Sequence, residues 1–128
     1  KRVAPAAEKA GVILGLETWL DVDDHLRILD SVGSPAVKVY YDTANMTKQG
    51  YDIVKEIRRF GAERICEIHL KENGALLGKG KVNFGNVRDV LAEIDYRGWL
   101  TIESAIPRGM SIDKAYSQNV RFVRQMFP

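Results

Sequence analysis

Four residues, Glu17, Asp42, His69 and Glu103, each close a short apolar run, and they stand 25, 27 and 34 residues apart. Three carboxylates and an imidazole make a hard-leaning oxygen and nitrogen donor set. It suits one divalent cation, Mn²⁺ by preference with Mg²⁺, Co²⁺ or Zn²⁺ admissible, and disfavours copper or iron–sulfur chemistry. Converging carboxylates without a cation repel one another, and each raises the pKa of the others. A cation removes that conflict and leaves coordination positions for substrate oxygens. One acid at the end of one run is ordinarily a loop residue or a helix cap. The interest lies in whether all four share a face.

Period-two alternation sorts those faces. With strands expected over 11–17, 36–42, 64–69 and 99–103, Glu17 sides with Gly15 and Ile13, and Asp42 with Tyr40 and Lys38. His69 sides with Glu67, and Glu103 with Thr101. The opposite faces carry Leu14 and Leu16, Val39 and Tyr41, Cys66 and Ile68, and Leu100 and Ile102, apolar in every strand and so expected to meet helices. The four donors therefore point inward at the carboxyl ends of a parallel sheet, where barrel enzymes place their chemistry.

The positioning elements are βα units. A helix over 23–31 starts on acidic residues and carries Leu26 and Leu29. One over 51–60 carries Ile53, Val54, Ile57 and Phe60, with Gly61 as its stop. One over 85–95 has Val87, Val90, Leu91 and Ile94 at i, i+3, i+4 and i+7. A last helix starts at Ser111 as N-cap and runs through Ala115, Asn119, Phe122 and Met126. Four βα units are half an eightfold barrel, so the expected fold is α/β, about half of a (β/α)8 TIM barrel.

Composition excludes several classes. The 128 residues suffice for one domain, and 45% hydrophobic content can fill a core. A formal charge of +2 offers nothing to a polyanion such as nucleic acid. No apolar run is long enough to span a membrane. A single cysteine, Cys66, excludes an internal disulfide and fits a reducing compartment. With no signal pattern, the expected location is cytoplasmic. The chain starts on Lys1, and residues 3–11 look like a helix entered partway and ended at Gly11, whereas residues 126–128 close a helix in an ordinary way. It is therefore expected to be cut at the front and complete at the back, with residues 1–128 forming the C-terminal half of a barrel.

Several stretches resemble the xylose isomerase-like sugar isomerase/epimerase family of TIM barrels. They are Gly-Leu-Glu at 15–17, Tyr-Tyr-Asp-Thr-Ala-Asn at 40–45, Ile-His-Leu-Lys-Glu at 68–72, Leu-Gly-Lys-Gly-Lys-Val-Asn-Phe at 77–84 and Tyr-Arg-Gly-Trp-Leu-Thr-Ile-Glu at 96–103. The resemblance implies that Glu17, Asp42, His69 and Glu103 ligate the metal. It also implies that Glu17 and Glu103 act as the acid/base pair of a ketose 3-epimerase, working through an enediolate. Many free-sugar epimerases have His three residues after the strand-end Asp. Here that residue is Asn45, which resembles the ketopentose-phosphate 3-epimerase branch, as does Lys71 after His-Leu.

The remaining candidates have two readings each. Asn45 bonds a sugar hydroxyl or turns the chain. Lys71 neutralises a substrate oxyanion or phosphate, or is a solvated loop lysine. Arg108 holds phosphate or tips the turn Pro107-Arg108-Gly109. Trp19 walls a sugar pocket or packs at the rim. His25 is expected on the surface, Trp99 in the core, and Cys66 as a small residue on the helix-facing side. The expected activity is epimerisation of a ketose or ketose phosphate at C3. The alternatives are an aldose–ketose isomerase, which would use the same ligand set, and a non-catalytic half-barrel that binds metal. Two exposed sheet edges predict self-association or pairing with a missing half-barrel.

Overall fold

The structure is a computed structural model and describes residues 1–127. Ten elements follow in order: α1 (Ala4–Ala10), β1 (Leu14–Leu16), α2 (Val22–Val32), β2 (Val37–Asp42), α3 (Thr43–Gln49), α4 (Ile53–Arg64), β3 (Ile65–Leu70), α5 (Phe84–Glu93), β4 (Trp99–Ile102) and α6 (Ile112–Met126). The strands form one all-parallel sheet in the order β1-β2-β3-β4, each joined to the next through helix.

Helix boundaries follow local chemistry. Asp21, Asp52, Asn83 and Ser111 each accept a backbone N–H as N-caps, and Gly11 and Gly33 end their helices in the left-handed conformation. Gly61, at φ 67° and ψ 167°, breaks α4 where the sequence places the stop. No helix among the described residues is long and apolar enough to cross a membrane.

The core lies between one face of the sheet and the helices. Val39, Tyr41, Ile68 and Leu70 of the sheet pack with Ile57, Phe60, Val87 and Val90, and all are sealed from solvent. One carboxylate enters this layer: Glu56 of α4 accepts from the Tyr41 hydroxyl at 2.7 Å and the Val22 N–H at 3.0 Å. Burial holds its carboxyl above the ordinary range, although both donors pull it down.

Three expectations fail, each for a nonlocal reason. His25 is only 1% exposed. Its ring lies edge-on to Phe60 and bonds the Thr18 hydroxyl and the Asp21 carbonyl, both at 3.0 Å. Burial lowers its pKa. Trp99 is 78% exposed, because it opens the edge strand with no further strand beside it among the described residues. Cys66 is half-buried on the inner side. Val39 pairs with Ile65 but Tyr40 with Glu67, which leaves Cys66 as an extra residue in β3. Its Sγ lies 3.1 Å from where a Cβ on the inward-facing Gly15 would stand. A fourth departure is α3, a short helix absent from the periodicity of residues 43–49.

Candidate metal centre

Asp42 ends β2 and pairs directly with His69, the penultimate residue of β3, while Glu17 and Glu103 stand one residue past β1 and β4. The Glu103 N–H still bonds the Leu70 carbonyl at 3.2 Å, which extends the ladder to the site. One donor atom from each of Glu17, Asp42, His69 and Glu103 falls within 4.8 Å of the others. The imidazole Nδ1 faces all three carboxylates, 3.2 Å from Glu17 Oε1, 3.2 Å from Glu103 Oε2 and 3.9 Å from Asp42 Oδ2.

Asp42 is fixed from behind. Its Oδ1 accepts the Ala44 and Asn45 N–H groups at 2.9 and 2.8 Å, so Asp42 is the N-cap of α3. Only Oδ2 remains for another partner. That atom and Glu103 Oε2 are buried without a hydrogen bond. Ligands about 2.1 Å from a hard divalent cation stand roughly 3 to 4.2 Å apart, and the three distances from the imidazole to the carboxylates, 3.2, 3.2 and 3.9 Å, fall in that range. Buried acceptors are ordinarily hydrogen-bonded, and these two are instead approached only at 3.2 Å, Asp42 Oδ2 by Lys71 Nζ and Glu103 Oε2 by His69 Nδ1, which leaves both with capacity to face an ion.

Lys71 folds back into the cluster. Its Nζ is 2.8 Å from Glu103 Oε1 and 3.2 Å from Asp42 Oδ2. Partial burial by itself would lower the ammonium pKa, but these two carboxylates outweigh it and the net shift is upward. The other candidates lie around this centre without joining it. Asn45 is buried inside the first turn of α3, its backbone capped by Asp42. Trp19 is 46% exposed two residues beyond Glu17, with Lys48 Nζ 5.3 Å from its ring centroid. Arg108 is exposed in the turn closed by the Met110 N–H to Pro107 carbonyl bond, and forms no ion pair among the described residues.

Sequence reasoning assigned nothing to the residues two positions before the ligands. The Tyr40 hydroxyl donates to Glu67 Oε1 at 2.8 Å, and the Thr101 hydroxyl donates to the same oxygen. Tyr40 packs on His69 with ring centroids 4.1 Å apart. Its phenol is pushed up to about 12 by burial and by the Glu67 carboxylate. The available signal was a polar side chain at the i−2 position of three strands.

The chain belongs to the xylose isomerase-like TIM barrel family, whose pattern matches residues 1–126. Within it, the D-psicose 3-epimerase of Enterocloster bolteae is 26% identical over 137 aligned residues, which take in 100% of this chain and 44% of that protein. The L-ribulose 3-epimerase of Methylomonas sp. is 34% identical over 80 residues, 62% of this chain and 28% of that protein. A solved structure of an L-ribulose 3-epimerase superposes with a TM-score of 0.85 at 25% identity, covering 98% of this chain and 50% of that one. These relatives are ketose 3-epimerases, and the chain spans about half their length or less.

Proposed function

We propose that these residues form the carboxyl-terminal half-barrel of a divalent-metal-dependent epimerase that inverts a ketose or ketose phosphate at C3. The observation that carries this reading is the convergence of four donors, one from the carboxyl end of each strand: Glu17, Asp42, His69 and Glu103 place one ligand atom each within 4.8 Å of the others. Asp42 and His69 sit on the two central strands, and Glu17 and Glu103 flank them from the outer two.

Glu17, Asp42, His69 and Glu103 would hold a divalent cation, which when bound would supply Lewis-acid stabilisation of negative charge developing on substrate oxygens. One glutamate takes the C3 proton, leaving the electron pair in the enediolate. The other delivers a proton to the opposite face of the same carbon. Each turnover thus exchanges which glutamate holds a proton, and solvent resets the pair. Lys71 places a fixed positive charge beside Glu103, where a developing oxyanion or a phosphate would be met. Asn45 bonds a sugar hydroxyl, Trp19 walls the sugar, and Arg108 reaches a phosphate.

The reading is tested by solvent deuterium wash-in at C3 of a ketose. Glu103→Gln should slow exchange by about 10²–10⁴-fold, the usual worth of a positioned acid or base. Undiminished exchange would remove Glu103 from the acid/base role. Metal analysis should find one tightly held ion per chain, Mn²⁺ by preference. For the isolated 128-residue chain, edges on β1 and β4 together with exposed Val12, Ile13 and Trp99 favour association with the complementary four βα units or with a second copy. A stable monomer with full epimerase turnover in sedimentation and activity assays would overturn that part.

A further inference from the structure

Beneath each of the four candidate ligands, two residues earlier on the same strand, lies an inward-facing partner: Gly15, Tyr40, Glu67 and Thr101. Neighbours in this row touch across the strands. A Cβ on Gly15 would stand 3.2 Å from Tyr40 Cβ, tighter than ordinary contact, so β1 packs too closely on the tyrosine to carry a side chain there. Tyr40 then donates to Glu67 on β3, and Thr101 on β4 donates to the same carboxylate oxygen. A single acceptor, Glu67 Oε1, therefore ties three strands together immediately below the ligand cluster.

The consequence falls on His69. Its ring rests on the Tyr40 ring at 4.1 Å between centroids and 42° between planes. The imidazole's orientation decides whether Nδ1 faces Glu17, Asp42 and Glu103 together. An imidazole free to rotate about its side-chain bonds would lose that convergence, whereas one seated on a fixed ring keeps it. Tyr40 is held at its far end by the hydroxyl bond to Glu67.

We propose that Glu67 is a positioning residue: by anchoring the Tyr40 hydroxyl it fixes the ring on which the His69 imidazole sits, and thereby sets the affinity of the cation site. This rests on the metal-site reading above. The anchor acts through geometry, since both hydroxyls donate to one oxygen that a glutamine amide also offers. Groups that orient a ligand without touching the cation are commonly worth about 10–100-fold in metal affinity.

The experiment compares Glu67→Gln, Glu67→Leu and Tyr40→Phe in the purified protein with two readouts. Titration with Mn²⁺ alone should show Glu67→Gln within about threefold of the parent and Glu67→Leu at least about tenfold weaker. Tyr40→Phe, which keeps the ring and loses its tether, should fall between. In metal-free protein, the His69 ring resonances report its position against Tyr40. They should move in Glu67→Leu and stay in Glu67→Gln. Parent-like Mn²⁺ affinity and unmoved resonances in Glu67→Leu overturn the inference, as does equal weakening by Gln and Leu. If Glu67→Leu does not fold, parent-like affinity and resonances in Tyr40→Phe overturn it. A parent protein that binds no divalent cation overturns the metal-site reading and the affinity claim together, while the His69 resonances still decide the positioning claim separately.

Discussion

The two faces of the sheet use the same strands in opposite ways. On the helix side Val39, Ile68 and Leu70 are fully excluded from solvent and their neighbours are apolar. On the inner side Tyr40, Glu67 and Thr101 are half-buried, polar and hydrogen-bonded to one another. Alternation along each strand keeps the two populations apart, so stability resides on one face and the donor cluster on the other. A change to either face should register mainly in its own measurement.

The sharpest separation is expected from Phe60→Ala, which removes a fully buried ring that packs on Tyr41 and His25. Denaturant unfolding should show a loss of about 3–5 kcal/mol, while the folded fraction keeps its Mn²⁺ affinity. A parallel fall in affinity would mean the faces are coupled. Lys71→Met attacks the inner face. Without added metal it should cost about 1–3 kcal/mol, because Asp42 Oδ2 and Glu103 lose the ammonium that lies beside them. Saturating Mn²⁺ should narrow that gap in thermal melts. A variant equally destabilised with and without the ion would show that the lysine does not offset carboxylate repulsion.

The smallest effect concerns pH. His25 has a depressed folded pKa from burial, so the unfolded chain takes up its proton first as pH falls below the ordinary value of 6.5. Its contribution is present above that value and is lost on acidification toward the folded pKa. Asp21 and Asp24 are the charged groups acting on it, and the buried Glu56, which accepts from Val22, lies in the same layer. Glu56 has the opposite sign, since its raised pKa favours the folded state as it protonates. The difference between parent and His25→Gln melts therefore isolates the histidine: the parent should lose more stability between pH 6.5 and 5. Superimposable pH profiles would contradict the assignment.

Most of the fold was legible because its signals are local. Strand alternation located the faces, and Ser111, Gly11 and Gly61 marked helix ends where the structure has them. What escaped either lacked an apolar pattern or was determined by distant partners. Residues 43–49 have no apolar stripe, and α3 exists because Asp42 caps it and Gly50 ends it in the left-handed conformation. His25 sits in a charged stretch yet is enclosed by Phe60 from another helix. The four donors could be enumerated from sequence, but the return of Lys71 onto Glu103 and Asp42 depends on a loop path that no local pattern records. The row beneath the donors was visible as polar residues and invisible as a network, because hydrogen bonding across strands requires the register.

That register contains one irregularity with a wider consequence. The extra residue in β3 separates two reading frames within six amino acids, Ile65–Leu70. The frame before Cys66 delivers Ile65 to the core, and the frame after it delivers His69 to the cluster. Removing Cys66 would force the two frames into one and make core and cluster compete for the same alternation. Substituting it by another small residue keeps the count and so both frames, within the room left by Gly15 and the Val39 carbonyl. Position 66 is thus a punctuation mark whose presence matters more than its chemistry, and libraries built on this scaffold can vary its identity while holding its count.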